Sequence, residues 1–166
     1  MDHLFSPWRY QYIRAARADG GACVLCEELA RDGDEQALVV LRGQHNAVVL
    51  NRFPYTSGHV MIVPYAHCGT LEACGEAARA EMMELAARAV RALRQEYQAQ
   101  GANLGLNLGE AAGAGIEQHL HLHVVPRWRG DANFMSVVGE TRVLPEALSD
   151  TCVRLRGALA ATAPSV

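Results

Sequence analysis

The chain has 166 residues, five cysteines and a formal net charge of −3. This length suits one domain with a substantial apolar core, and the mild acidity argues against a protein that coats nucleic acid, which usually carries a basic patch. No apolar run reaches the ~18 residues needed to span a bilayer, and the start, MDHLFSPWRY, lacks the basic and apolar segments of a secretory signal. We therefore expect one cytoplasmic domain over 1–166, with neither nucleic acid nor a membrane as partner.

The amino-terminal part predicts a short helix followed by a cysteine pair. Ser6 and Pro7 form a helix-start signal, so residues 8–18 are expected to be helical. The segment CVLCEELARDGDEQ then predicts a metal-knuckle turn leading into a helical turn. Its Cys23 and Cys26 form a CxxC pair, which indicates metal or redox chemistry, because five unevenly spaced cysteines make a poor disulfide framework.

Three strands and one long helix are predicted next. Two β-rich runs, 37–41 and 46–51, are separated by the residues RGQ and should pair as a hairpin. A third strand, 59–63, ends before Pro64. Between residues 75 and 100, apolar side chains recur at three- and four-residue spacing, which predicts an amphipathic helix that Gly101 ends.

The remaining segments complete a sheet. Residues 103–108 predict a fourth strand, and 119–125 a fifth. Residues 134–138 predict an edge or partner-facing strand, and 145–160 a closing helix. This order of elements predicts an α+β fold, a single-domain antiparallel sheet of about five strands with a long helix and terminal helices.

The most informative stretch is HLHLHVVPRW, which begins at His119. Histidines at alternate positions have the period of a strand, so the imidazoles of His119, His121 and His123 should share one face. Neighbours on that face lie roughly 7 Å apart, close enough to reach different oxygens of one phosphate. A neutral imidazole can attack phosphorus, and a protonated one can stabilise the charge that develops on oxygen. The residues that alternate with the histidines should face the core: Leu120, Leu122 and Val124.

The loop before this run favours an anionic ligand. Its sequence, GEAAGAG, contains Gly109, Gly113 and Gly115, which allow a ligand to approach the backbone closely. Consecutive amides there could form an anion-binding nest.

A metal site is the main alternative for these histidines. Alternate histidines on a strand can share one zinc ion, with water in an open position. Cys23, Cys26 and His67, the last in the phrase PYAHCG, also look like three ligands of a closed site that needs a fourth. Cys68 beside His67 is a substitute ligand.

These residues carry a resemblance to a known family. The histidine run resembles the signature of the histidine triad family of nucleotide hydrolases and transferases. LNRFPYTSGHVMIVPYAH, residues 50–67, resembles the strand, loop and strand of that family, and NLGLNLGEAAGAG and PRWRGDANFM extend the match across about 23–135. The resemblance implies the histidine triad fold, with helical extensions at both ends.

The resemblance also implies a role for individual residues. His121 would attack the α-phosphate of a nucleotide, His123 would contact the phosphoryl oxygens, and His119 would orient the site. In zinc-bearing members the counterpart of His119 completes a structural zinc site, here with Cys23, Cys26 and His67. The residues expected to bind the nucleotide or its phosphates are Asn51, His59, Asn107, Gly113, Ala114 and Gly115.

The loop departs from many hydrolases of the family in a way that bears on the acceptor. Those enzymes have glutamine and serine where this chain has Ala114 and Gly115. Loss of the water-positioning amide weakens the case for hydrolysis. The loop and PRWRGDANFM are instead similar to the diadenosine tetraphosphate phosphorylase branch, in which inorganic phosphate resolves the nucleotidyl-histidine to give ATP-type and ADP-type products.

Two alternatives stay open at this point. One is a hydrolase that cleaves nucleoside phosphoramidates or dinucleoside polyphosphates with water, and the other is a zinc-stapled nucleotide-binding protein without catalysis. The resemblance requires no catalytic metal, although a divalent ion could accompany the polyphosphate. It also implies a homodimer or a tetramer.

Overall fold

The structure is a computed structural model that describes residues 23–131 and 146–162. Its main elements in chain order are α1 (Val24–Ala30), β1 (Val39–Arg42), β2 (Asn46–Leu50), β3 (Val60–Pro64), α2 (Glu76–Tyr97), β4 (Gly101–Gly105), β5 (Leu122–Arg127) and α3 (Leu148–Ala161). A 3-10 turn, Glu110–Ala112, lies between β4 and β5. The helix predicted at 8–18 and the strand predicted at 134–138 fall outside the described residues.

The strands form one antiparallel sheet in the order β1-β2-β3-β5-β4. β5 therefore lies between β3 and β4, which brings the histidine run next to the inner strand β3. Met61 of β3 pairs with His123. The predicted α+β fold, its hairpin and its five-stranded antiparallel sheet are confirmed.

The two faces of the sheet are covered by different elements. α2 and α3 pack on one face, where Leu122 and Val124 join the main core with Leu85 and Leu155. α1 covers the other face, where Leu25 belongs to a smaller apolar cluster. Because side chains alternate along a strand, burial of Leu122 and Val124 against the helices directs His123 toward the α1 face.

Several predicted boundaries are wrong by a few residues. Gly101 does not end the long helix. Gln98 ends it in the left-handed conformation, with φ of 51°, while its N–H donates to the carbonyl oxygen of Leu93, and Gly101 is the first residue of β4. The fifth strand begins at Leu122, where pairing with Ile62 starts, so His119 and His121 precede it.

Within 23–131 and 146–162, no helix is both long enough and apolar enough to cross a membrane.

Candidate functional site

The histidine run divides between two adjacent sites. His119 faces a pair of cysteines, whereas His121 and His123 line a cavity between α1 and the sheet. All three are buried, with exposed fractions of 0%, 8% and 9%. Residues two positions apart therefore meet different chemical partners.

The first site consists of Cys23, Cys26, His67 and His119, whose ligand atoms all lie within 4.8 Å of one another. The cysteines come from the start of α1, His67 follows β3, and His119 precedes β5. Sγ of Cys23 is 3.2 Å from Nδ1 of His119, and Sγ of Cys26 is 3.3 Å from Nδ1 of His67 and 3.4 Å from Nδ1 of His119. A tetrahedral zinc ion with ordinary Zn–S and Zn–N bonds holds sulfur and nitrogen about 3.5 Å apart, so the donor set and its spacing fit zinc.

The hydrogen bonds of His119 favour metal binding through Nδ1. Its Nε2 lies 2.9 Å from the carbonyl oxygen of Pro64 and donates to it, which leaves Nδ1 as the unprotonated nitrogen. A backbone acceptor of this kind commonly orients a histidine ligand. Burial lowers the pKa of His119, and this favours the neutral ring that binds a metal.

The electrostatics of the two neighbouring thiols also favour a bound cation. Burial, followed by the hydrogen bond and charge of Cys23, raises the pKa of the Cys26 thiol. Two thiolates this close repel each other, and a bound divalent ion would remove that cost.

The second site contains His121 and His123, whose ring centroids are 4.9 Å apart in an edge-to-face arrangement. His121 lies before β5 and His123 lies within it. Nδ1 of His121 is 2.8 Å from the carbonyl oxygen of His119. Since a carbonyl only accepts, Nδ1 carries the proton, and in the neutral ring Nε2 of His121 is the unprotonated nitrogen.

His123 has the opposite tautomer to His121, and a chain of two hydrogen bonds determines it. The amide of Tyr55 donates to Nδ1 of His59 at 3.1 Å, so the proton of His59 lies on Nε2. That Nε2 donates to Nδ1 of His123 at 3.0 Å. The proton of a neutral His123 therefore lies on Nε2, where it can be donated to a ligand.

His59 is thus placed behind the site and not in its wall. The resemblance implies that His59 lines the nucleotide pocket, but its side chain is fully buried and the described cavity lining does not include it. The reason is its position at the start of β3, where it is enclosed between the amide of Tyr55 and the ring of His123. It contacts three residues that line the cavity, Asn51, Tyr55 and His123.

The cavity has an apolar part and a polar part. The apolar lining comes from α1, the β1 edge and nearby strands: Val24, Leu25, Leu29, Ala37, Leu38, Val49, Phe53, Met61 and Ile116. The polar lining consists of Glu28, Asn51, Arg52, Tyr55, Gly115, His121 and His123. An apolar wall beside two imidazoles suits a planar base joined to a phosphate.

The contribution of α1 to the cavity wall was not predicted from the sequence. Val24 and Glu28, like Leu25 and Leu29, are four residues apart and so lie on adjacent turns of one helical face. This spacing is visible in the sequence. The direction in which the face points is not, because it depends on the cysteines that hold α1 beside the sheet.

The glycine-rich loop differs from the predicted anion nest. The amide of Gly113 donates to the carbonyl oxygen of Glu110 at 2.9 Å, and the amide of Ala114 donates to the carbonyl oxygen of Gly109 at 3.4 Å. In this conformation the two amides are engaged within the turn, and phosphate binding by Gly113 and Ala114 stays a prediction. Gly115 does line the cavity.

The two asparagines of the predicted site are placed differently. Asn51 lines the cavity, and its Oδ1 accepts a hydrogen bond from the amide of Phe53 at 2.9 Å. Asn107 is half-buried and is absent from the cavity lining found among the described residues.

Comparisons with known proteins show which chains this one is similar to. A model of the HIT domain matches residues 32–130. A Mycobacterium tuberculosis protein named AP-4-A phosphorylase is 38% identical over 91% of this chain and 80% of its own length. Protein hit of Bacillus subtilis is 28% identical over 66% of this chain and 74% of its length. The crystal structure of a zinc-bound histidine triad family protein from Mycobacterium smegmatis superimposes with a TM-score of 0.70 at 30% identity, covering 84% of this chain and 94% of that one.

Proposed function

The chain belongs to the histidine triad family, whose HIT domain spans residues 32–130, and from this premise we propose that it is a nucleotidyl transferase that acts on dinucleoside polyphosphates. The observation that carries the proposal is the hydrogen bonding of two histidines that line one cavity, from which their protonated nitrogens follow. Nε2 of His121 is unprotonated, and Nε2 of His123 carries a proton. A nucleophile and a hydrogen-bond donor are therefore placed side by side.

In the first step, Nε2 of His121 attacks the α-phosphorus. A nitrogen–phosphorus bond forms, the bond from that phosphorus to the bridging oxygen breaks, and the leaving group takes the electron pair. With diadenosine tetraphosphate, ATP leaves and AMP remains on His121. The carbonyl oxygen of His119 accepts from Nδ1 and stabilises the positive charge that develops on the ring.

His123 stabilises the charge that builds on phosphorus-bound oxygen. Its Nε2–H donates to a phosphoryl oxygen, and the donation from His59 to Nδ1 fixes which nitrogen carries this proton. The amide of Tyr55 fixes the proton of His59 in turn. A donor held in advance of the reaction lowers the barrier because it needs no reorientation in the transition state.

In the second step, inorganic phosphate is the acceptor. A phosphate oxygen attacks the same phosphorus, the nitrogen–phosphorus bond breaks, and ADP is released while His121 is restored. Gly115 supports this choice because it lines the cavity without a side chain and leaves room for a second phosphate. The M. tuberculosis relative, named AP-4-A phosphorylase, supports it as well.

A product assay separates the possible acceptors. The protein is incubated with diadenosine tetraphosphate, with and without inorganic phosphate, and the nucleotides are identified by chromatography. We expect ADP and ATP in equal amounts, formed only when phosphate is present. AMP with ATP in phosphate-free buffer would show a hydrolase, and binding without any product would show a non-catalytic nucleotide-binding protein.

We further propose that Cys23, Cys26, His67 and His119 hold a structural zinc ion. Four protein ligands close a tetrahedral site, so the ion would supply structural support and no position for a reacting water. The zinc-bound M. smegmatis protein supports this assignment. Elemental analysis of protein purified without added metal should find about one zinc per chain, and a value near zero would overturn it.

A further inference from the structure

Glu28 is a carboxylate in an otherwise apolar wall of the cavity. It lies on α1, between Leu25 and Leu29, and only 13% of its side chain is exposed. The other α1 residues of the lining are aliphatic: Val24, Leu25 and Leu29. An acid at such a position is unusual, because burying a carboxylate is costly unless its oxygens accept hydrogen bonds.

The two carboxylate oxygens of Glu28 have different surroundings. Oε1 accepts a hydrogen bond from Nη2 of Arg52 at 2.8 Å. Oε2 is buried and accepts no hydrogen bond from any residue in the described parts of the chain. Nη1 of Arg31 is 3.7 Å from Oε2, which is an ion-pair distance beyond the range of a hydrogen bond.

This arrangement leaves one oriented acceptor for a ligand. Arg52 also lines the cavity, and its ion pair with Oε1 fixes the position of the carboxylate. Because Oε1 accepts from Arg52, Oε2 is the oxygen of this cavity-lining carboxylate that is left to accept from a ligand. A ligand O–H or N–H there would satisfy an oxygen that otherwise remains desolvated.

We propose that Oε2 of Glu28 accepts a hydrogen bond from the nucleoside part of the substrate and so determines which nucleosides bind. The inference rests on the proposed function, since it takes the cavity to be the nucleotide site. A nucleoside offers this donor from two sources, a ribose hydroxyl or an exocyclic amine of the base. Both would be recognised by the same acceptor.

The test is a series of binding measurements on the full chain by calorimetry. The ligands are AMP, its 2′-deoxy and 3′-deoxy analogues, and purine riboside 5′-monophosphate, which lacks the exocyclic amine. We expect one of these analogues to bind at least about tenfold more weakly than AMP, because it leaves a buried carboxylate oxygen without a donor. The analogue that loses affinity identifies the source of the donor.

The variant Glu28→Gln should abolish this discrimination. Arg52 requires an acceptor, so the amide oxygen would face Arg52 and the NH₂ group would face the cavity, where it cannot accept a hydrogen bond. AMP should then bind about as weakly as the critical analogue. Glu27→Gln, an exposed neighbour on the same helix, is the matched control and should keep the wild-type pattern.

Failure of this inference is distinct from failure of the proposed function. If AMP binds and all analogues bind equally well to the wild-type protein, Glu28 does not select the nucleoside, and this result requires no variant to fold. Discrimination that persists in Glu28→Gln would overturn the assignment as well. If AMP does not bind at all, the cavity is not the nucleotide site and both proposals fall.

Discussion

His119 of the cysteine cluster and His121 of the cavity differ in which imidazole nitrogen is protonated. His119 donates from Nε2 to the carbonyl oxygen of Pro64, so Nδ1 faces the thiols. His121 donates from Nδ1 to the carbonyl oxygen of His119, so Nε2 is the unprotonated nitrogen. Two identical side chains, two residues apart, acquire different chemistry from the carbonyl each one meets.

The two regions are also mechanically connected. His119 contributes its ring to the cysteine cluster and its carbonyl oxygen to His121. α1 likewise carries Cys26 on one side and the cavity residues Leu25 and Glu28 on the other. Substitutions in the cluster should therefore affect the cavity mainly by lowering the stability of the protein and displacing α1. Substitutions of the cavity histidines should instead affect the reaction itself.

The largest expected effect is that of His121→Ala. Loss of the nucleophile should reduce turnover of diadenosine tetraphosphate by at least about 10⁴-fold, as removal of a covalent nucleophile does in other enzymes. Nucleotide affinity and the melting temperature should change little. His45→Ala, at a histidine outside both sites, is the control, and near-normal turnover in His121→Ala would remove the nucleophile assignment.

His59→Phe should have the next largest effect, a decrease in kcat of about 10- to 100-fold with a smaller change in KM. Phenylalanine cannot donate to Nδ1 of His123, so the protonated nitrogen of His123 is no longer fixed. His59→Gln is the conservative variant, because its amide can accept from the amide of Tyr55 and donate to His123. It should recover part of kcat and the pH profile. An equal loss in both variants would indicate that His59 only fills space.

Removal of the metal should act on stability first. Cys26→Ser, or a chelator, should release zinc and lower the melting temperature by about 5–10 °C, because α1 is only seven residues long and cannot remain ordered alone. Nucleotide affinity should fall with it, since α1 forms one wall of the cavity. A chelator should have no further effect on Cys26→Ser, and a chelator-insensitive wild-type protein would contradict the zinc assignment.

The smallest effect is expected at Glu81, outside both regions. Its carboxylate accepts from the amides of Gln44 and His45 at 2.6 and 2.7 Å and from Nδ2 of Asn46 at 2.8 Å. Burial acts to raise the pKa of Glu81, but these hydrogen bonds outweigh it and hold the pKa below its usual value. Glu81→Gln should therefore lower the free energy of unfolding at pH 7 by about 1–2 kcal/mol.

The pH dependence of this effect has a definite sign. The folded-state pKa is depressed, so the stabilisation is fully present above the unfolded pKa of about 4.3 and is lost as the pH falls through the lower folded pKa. Denaturant unfolding of Glu81→Gln and the wild-type protein should give curves that converge below about pH 4. A difference that is constant down to pH 3 would contradict this account, and turnover should be unaffected at neutral pH.

The sequence predicts the sheet, the long helix and the burial of Leu120, Leu122 and Val124, because alternation and helical spacing are local patterns. It does not predict that Gln98 ends the long helix, since a non-glycine residue can adopt a positive φ when its amide is bonded to Leu93. The gathering of Cys23, Cys26, His67 and His119 was expected only from the resemblance to a family. Spacing along the chain cannot establish it, because the donors are up to 96 positions apart.

The hydrogen bonds of the cavity could not be predicted from the sequence either. The hydrogen bond from His59 to His123 joins residues 64 positions apart, and it depends on which nitrogen each ring protonates. The position of Glu28 in the cavity wall depends on how α1 packs against the sheet. These features require the tertiary structure, whereas the histidine pattern alone left phosphate chemistry and a metal site as alternatives.

Capture of the nucleotidyl intermediate tests the central claim most directly. The full chain is mixed with diadenosine tetraphosphate without inorganic phosphate, quenched in base, in which a phosphoramidate survives, and digested for mass spectrometry. We expect an AMP adduct that fragmentation places on His121, and its disappearance with release of ADP when phosphate is added before the quench. An adduct on His119 or His123, or turnover to ADP and ATP with no adduct on any histidine, would contradict the assignment of His121 as the nucleophile.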